Sequence, residues 1–385
     1  MVSMDVIHGS FAIAVAAKLS DVKVIAAYPI TPQTHIVEDL AKMVADGELD
    51  AEYVKVESEH SAMSACIGSS ATGARTFTAT SSQGLALMHE VLFIASGMRL
   101  PIVMANANRA LSAPINIWND QQDAISERDC GWIQIYCETN QEALDTVIQA
   151  FRISEDRDVL LPTMVNIDGF ILTHTIEPVE IPDKEQVKGY LPDFSPSLYL
   201  RPDKPMTQGA FADPSSYMEF RHEQEQAMNR AIGVVKKAGE EFGKHFGRTY
   251  GLVEAYNIEN AEIVLVTMGS VSGTLKEIID SEDNVGLLRI RLYRPLPKEE
   301  ILDLLKDAKV VSVIEKDVSV GIGEGALYSE IKGMLYPSDI NPKTLGFIIG
   351  LGGRDVTLEN VKEIVSLSKK AEEGQVKEVS WIGLK

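Results

Sequence analysis

Along the first 170 residues, short β-rich runs, apolar on both parities, alternate with longer amphipathic or small-residue stretches. The short runs predict strands at Lys23–Ile30, Glu52–Val56, Thr76–Thr80, Ile102–Ala105, Trp132–Cys137 and Leu160–Ile167. The stretches between them predict helices at Thr34–Ala45, Ser61–Ala74, Leu85–Gly97 and Gln141–Ser154. Such alternation predicts an α/β fold with a parallel sheet and helices on both faces. Strands covered on both sides should be apolar on both parities, and these are. An earlier apolar patch, Phe11–Ala17, has no cationic leader and runs directly into Lys18, so it reads as a core helix rather than a signal peptide.

After Gly169 the pattern breaks. Residues 177–214 hold many of the prolines and no clear period, which reads as a wrapping connector. The following helix, Ser216–Gly243, is rich in Glu, Gln and Lys and reads as a solvated surface or subunit-contact helix. From Ala261 a second α/β unit is expected: strand Ile263–Met268, helix Val271–Asp280, strand Val285–Ile290, helix Lys298–Lys306 and strand Val310–Glu315. These breaks divide the chain into residues 1–175, 176–257 and 258–385.

Composition narrows the function. Of 385 residues, 36 are Lys or Arg and 56 Asp or Glu, a net charge of −20, which argues against nucleic acid or an anionic membrane face as partner. No apolar run approaches the ~18 residues of a membrane span. The three cysteines, Cys66, Cys130 and Cys137, form no C-x-x-C. They suit a reducing, cytoplasmic setting and cannot by themselves hold an iron–sulfur cluster. The acidity is uneven. Between Ser61 and Asn119, 59 residues carry four charges, Arg75, Glu90, Arg99 and Arg109, against roughly fourteen expected at the chain's average.

In an open parallel sheet, ligands bind beyond the carboxyl ends of the strands. There the predicted strands deliver Tyr28-Pro-Ile-Thr-Pro-Gln-Thr34, Glu57-Ser-Glu-His60, Ser81-Ser-Gln-Gly84 and Asn106-Ala-Asn-Arg109. Pro29 and Pro32 stiffen the first turn and fix the Thr31 hydroxyl, which equally suits a helix N-cap with Pro32 at the first helical position. Glu59 opens a helix of small residues. It is either a first-turn carboxylate favoured by the helix dipole or a partly buried carboxylate that binds a ligand. His60 has no second histidine nearby, so no metal site is expected. Arg109 is the one arginine of the charge-poor stretch on this rim, since Arg75 and Arg99 precede their strands. Its fork suits a carboxylate ligand or an ion pair with Asp120 or Asp123. Gly321-Ile-Gly-Glu-Gly-Ala326 matches a dinucleotide pattern, but Glu315 to Val320 separate it from its strand, and a glycine turn is the better reading.

Taken in order, the four rim motifs, with Asn108-Arg-Ala-Leu-Ser-Ala-Pro114, Gly131-Trp-Ile-Gln-Ile135 and Asp168-Gly169, resemble the α subunits of the 2-oxoacid:ferredoxin oxidoreductase family, most nearly its pyruvate branch. The second unit, with Arg294-Pro-Leu-Pro297, is similar to that family's transketolase C-terminal-like α/β domain. The resemblance implies a thiamine-diphosphate-binding fold whose first domain is the pyrimidine-side partner. It implies that Glu59 bonds the pyrimidine N1′ and promotes the imino tautomer, and that Tyr28 and Pro29 line the cofactor. Thr31 and Arg109 match residues that bind the 2-oxoacid. No Gly-Asp-Gly occurs here, so magnesium and the diphosphate are expected on a β subunit and 4Fe–4S clusters on partner subunits of the same complex, which the resemblance gives as β, γ and δ. The implied reaction converts pyruvate and coenzyme A to acetyl-CoA and carbon dioxide with reduction of ferredoxin, reversibly. Branched-chain or 2-oxoglutarate specificity, or a non-catalytic assembly subunit, are the alternatives.

Overall fold

The computed structural model describes residues 3–371, 374 and 376–385. Residues 24–168 supply six strands of a seven-stranded sheet, ordered Ile133–Tyr136, Thr163–Asp168, Val103–Asn108, Thr76–Thr80, Val24–Ala27, Glu52–Lys55, all parallel. Leu292–Arg294 completes the Ile133–Tyr136 edge as an antiparallel strand. Side-chain alternation explains how one sheet serves two cores. Ile25, Phe77, Ala79, Val103 and Ala105 point to one face, under helices Gly9–Leu19, Thr34–Ala45 and Asn140–Ser154. Ala26, Met104 and Met164 point to the other, under Glu59–Ala71 and His89–Gly97. That second core runs on into Val264, Val266, Leu288 and Ile290 of the next unit, so the two units share one apolar interior.

The second sheet is ordered Val379–Trp381, Lys343–Ile348, Val310–Glu315, Ile263–Thr267, Val285–Ile290, Val253–Tyr256, parallel except for the last pair. Its strands from Ile263 through Val310–Glu315 follow the expected alternation, whereas the antiparallel edge Val253–Tyr256 comes from the stretch expected to be connector. The structure continues it with helices Ala326–Leu335 and Leu358–Ala371 and two further strands.

Three local expectations change. The predicted helix Leu85–Gly97 is two helices, Ser82–Leu87 and His89–Gly97, starting earlier. The wrapping connector contains a strand, Ile176–Ile181, antiparallel to Ser3–His8, and a short helix, Lys184–Tyr190, with an Asp183 capping box. The charged helix runs Tyr217–Phe246 and is only half solvated. Ala227, Ala231, Val235 and Ala238 form a buried stripe against Ile133, Ile135 and Leu161. Gly247 ends it at φ 76°. Small residues at four-residue spacing made the stripe quiet beside so many charges. The three cysteines are free and buried, which pushes the Cys66 and Cys137 thiols up to about 12.

Candidate active site

Because the strands run parallel and in register, their carboxyl ends form one rim, with Thr80 opposite Asn106 and Asn108 opposite Asp168. The first turn on this rim is held by Gln33, which is wholly buried. Its backbone N–H donates to the Ile30 carbonyl (2.8 Å), its Oε1 accepts from the Ile30 N–H (3.2 Å), and its Nε2 donates to the Ala79 carbonyl (2.6 Å). Tyr28, Pro29 and Thr31 are thereby left facing outward. Thr31 does not cap the helix. The chain takes one more turn after Pro32, the helix starts at Thr34, and Gln33 occupies the cap position without a side-chain bond. Pro32 instead packs on Gly169, where an added Cβ would lie 2.8 Å from Pro32 Cγ and 2.5 Å from the Asn108 carbonyl.

Glu59 lies in the first turn of its helix, after the N-cap Ser58, whose hydroxyl accepts from the Ser61 N–H at 3.2 Å. The Glu59 side chain is 7% exposed, yet no described residue donates a hydrogen bond to its carboxylate. It is therefore both a first-turn acid and a buried one. Gly84 makes room for it: a Cβ there would fall 2.6 Å from Glu59 Oε1 and 2.6 Å from Thr80 Oγ1. Thr80 Oγ1 and the neighbouring Gln83 Nε2 are buried and have no hydrogen-bond partner among the described residues. Native proteins seldom leave such groups unpaired, so this cluster beside an acid is free to pair with a ligand.

On the other side, Thr31 and Arg109 are brought together. The Arg109 Nη1 donates to the Thr31 carbonyl at 2.9 Å and Nε to the Asn116 carbonyl at 2.9 Å. Nη2 makes no bond to a described residue, so one edge of the fork stays open. The ion pair with Asp120 or Asp123 does not form. Asp123 binds the Arg109 backbone N–H instead (3.1 Å), because its carboxylate is already turned toward the strand ends. It also accepts from the N–H groups of Ser82 (2.9 Å) and Ala124 (2.8 Å) and from the side-chain amide of Asn108 (2.9 Å). Burial still pushes its carboxyl up against these donors. Asp123 thus ties the Ser82–Gly84 turn beside Glu59 to the strand end carrying Arg109.

The remaining motifs are structural. Asp168 joins the two units, accepting from the Ser270 N–H (3.0 Å), Gln121 (3.2 Å), Asn119 (3.2 Å) and Lys316 (3.4 Å). Burial alone would raise its carboxyl, but Lys316 and Ser270 hold it below the usual range. Arg75 pairs with Glu155, and Arg99 donates to the Val159 and Leu160 carbonyls, both away from the rim. At Gly321–Ala326 the first two glycines have φ of 102° and 83°, a glycine turn. The helix N–H groups a dinucleotide phosphate would need are already taken, Ala326 by Asp317 and Tyr328 by Glu315. His60 is exposed near Glu90, and among the described residues no group of three His, Cys, Asp or Glu is arranged to hold a metal.

Gln33, Thr80 and Gly84 lie inside motifs that the sequence makes visible, but their roles do not follow from those motifs. A glycine directly at a helix start was the one available hint. Asn116 gave none, since its amide donates to a carbonyl 236 residues away.

A doubly covered parallel sheet, ending in an unpaired acid on one wall and a half-open guanidinium on the other, is the frame of a thiamine-diphosphate-binding subunit. The chain belongs to that class: residues 15–240 match the family described as pyruvate flavodoxin/ferredoxin oxidoreductase, thiamine diphosphate-binding, and residues 261–361 match pyruvate:ferredoxin oxidoreductase core domain II. Over essentially its whole length it is 60% identical to the pyruvate synthase subunit PorA of Methanocaldococcus jannaschii, covering 100% of this chain and 99% of that protein. It is 54% identical to PorA of Pyrococcus furiosus (99% and 98% covered) and 48% identical to the ketoisovalerate oxidoreductase subunit VorA of Pyrococcus horikoshii (99% and 98%). Among solved structures it matches a 2-oxoglutarate:ferredoxin oxidoreductase from Magnetococcus marinus, determined with 2-oxoglutarate, coenzyme A and succinyl-CoA bound. The TM-score is 0.73 at 19% identity, covering 94% of this chain and 65% of that one, a likeness of fold. An inactive β4 tetramer of a split-gene transketolase shares the fold at TM-score 0.53 and 13% identity, covering 94% and 98%. No helix among the described residues is long and apolar enough to cross a membrane.

Proposed function

We propose that this chain is the catalytic α subunit of a pyruvate synthase, which oxidatively decarboxylates pyruvate to acetyl-CoA and carbon dioxide, reduces ferredoxin, and runs in reverse to make pyruvate. The observation that carries this reading is the buried, donor-less carboxylate of Glu59, with the orphaned Thr80 hydroxyl beside it and no room for a side chain at position 84. A largely buried carboxylate that meets no donor among the described residues fits the aminopyrimidine of thiamine diphosphate, which offers it one. Bound there, the cofactor supplies the nucleophilic carbon and the electron sink for decarboxylation.

Within this chain, Glu59 holds the proton at the pyrimidine ring nitrogen and keeps the ring in register for proton exchange. Tyr28 and Pro29, exposed on the rim, would line the cofactor. Arg109 binds the 2-oxoacid carboxylate through the open edge of its fork, and the Thr31 hydroxyl bonds the same substrate. Pyruvate is favoured over a dicarboxylate because the other cation near the rim, Lys316, is engaged by Asn119 and Asp168. The higher identity to PorA than to VorA relatives points the same way. Magnesium and the diphosphate fall to a β subunit, the iron–sulfur clusters to partner subunits of a complex with β, γ and δ chains, and the assembly to the cytoplasm.

In the assembled complex, Glu59→Gln should lower pyruvate-dependent ferredoxin reduction at least about a hundredfold and weaken thiamine diphosphate binding. Full activity with unchanged cofactor affinity would refute the reading. Competition with 2-oxoisovalerate tests the specificity: pyruvate should be preferred in kcat/KM.

A further inference from the structure

The second α/β unit contributes no residue to the site as described, yet it reaches the Arg109 wall. Residues 111–118 form an outward loop with little packing of its own, and Ile115 at its tip is 81% exposed. Its position is therefore set by its anchors. The Ala110 N–H donates to the Trp118 carbonyl at 3.0 Å, and the Trp118 N–H donates to Asn116 Oδ1 at 2.7 Å. The amide of Asn116 donates to the Gly352 carbonyl at 3.0 Å, and the Gly352 N–H donates to the Asp120 carboxylate at 3.2 Å. The Asn116 backbone carbonyl, fixed in this way, accepts from Arg109 Nε.

The receiving turn admits only glycine. Gly350, Gly352 and Gly353 have φ of 70°, 62° and 80°. A Cβ at Gly352 would lie 2.6 Å from Asn116 Nδ2, and one at Gly353 would lie 2.3 Å from Trp118 Cβ. The glycine backbone thus seats directly on the side chains of Asn116 and Trp118.

We infer that Asn116 is a positioning residue for the substrate-binding guanidinium, and that the Gly352–Gly353 turn of the second unit sets its place. The inference rests on the reading of Arg109 as the 2-oxoacid ligand. The second unit thereby acts on substrate affinity through one carbonyl, and leaves the Glu59 wall alone.

The test uses the assembled complex. Asn116→Ala and, separately, Gly352→Ala should raise KM for pyruvate about five- to tenfold, the effect of one misplaced hydrogen bond, with kcat changed less than about twofold. Thiamine diphosphate affinity should stay unchanged, which also reports that each complex is folded. In the Arg109→Lys background, where no Nε–H meets the Asn116 carbonyl, Asn116→Ala should add nothing to KM. The positioning role is refuted if Asn116→Ala leaves KM unchanged, or if its effect multiplies that of Arg109→Lys. If Arg109→Lys itself leaves KM for pyruvate unchanged, the substrate reading of Arg109 fails as well. Should Gly352→Ala fail to assemble, Asn116→Ala, on the exposed loop, decides the matter alone.

Discussion

Gly84 and Glu59 show how little space separates a usable carboxylate from a blocked one. The helix start at Ser82 brings backbone to within van der Waals contact of the acid, and a single added carbon would overlap both Glu59 Oε1 and Thr80 Oγ1. Gly84→Ala should therefore turn the Glu59 side chain out of its place. The expected result is a loss of thiamine diphosphate affinity of about tenfold or more, from at least one misplaced charged hydrogen bond, with unchanged far-ultraviolet circular dichroism. Motif order placed Glu59, Thr31 and Arg109 on one rim, and the structure has them there, because parallel strands of similar length end level. The donors of each side chain were not legible. Arg109 spends two of its three nitrogens on the carbonyls of Thr31 and Asn116, and neither contact leaves a local pattern.

Single elements obey similar limits on packing. Helix Tyr217–Phe246 lies so close to the following chain that a Cβ at Gly239 would fall 1.9 Å from the Tyr250 carbonyl, whereas one at Gly233 meets nothing within 4 Å. The two glycines should respond with opposite sign. Gly239→Ala should destabilise the protein by roughly 1–3 kcal/mol through overpacking. Gly233→Ala should stabilise it by about 0.5–1 kcal/mol, since alanine restricts the unfolded chain and suits a helix interior. Urea denaturation of both variants checks the pair. Periodicity found the strands and most helices of the first unit because burial on two faces leaves a strong apolar signal. It missed the packed stripe of this helix because alanine and glycine carry little of that signal, though they allow the closest contact.

Across the whole molecule, the seam between the two units holds much of the buried charge. Glu142 of the first unit receives Arg289 at 2.9 Å and Arg291 at 2.8 Å from the second, and Leu292–Arg294 then joins the first sheet. Asp120 sits in the same seam. Burial, with Asp123 and Asp317 nearby, pushes its carboxyl up to about 7, against the N–H groups of Gln122 and Gly352. The unfolded carboxyl titrates near ~3.9, so between about pH 4 and 7 the folded chain binds the extra proton and stability falls as pH rises. Asp120→Asn should flatten part of that slope, read as a smaller difference between urea midpoints at pH 5 and pH 7. The slope remaining should come in part from Asp317, whose carboxyl burial also pushes up.

The chain by itself determined the alternation of strands and helices, the parallel sheet, the family and the rim that gathers Thr31, Glu59 and Arg109. Those follow from short-range patterns: the period of apolar residues, the turn chemistry at strand ends, and motifs a few residues long. Tertiary structure alone decided which donors each site residue meets, that Asp123 braces both walls, and that a glycine turn 236 residues from Asn116 holds the Arg109 loop. These depend on close approach between distant backbones, and a glycine that permits such an approach reads in sequence like any other glycine.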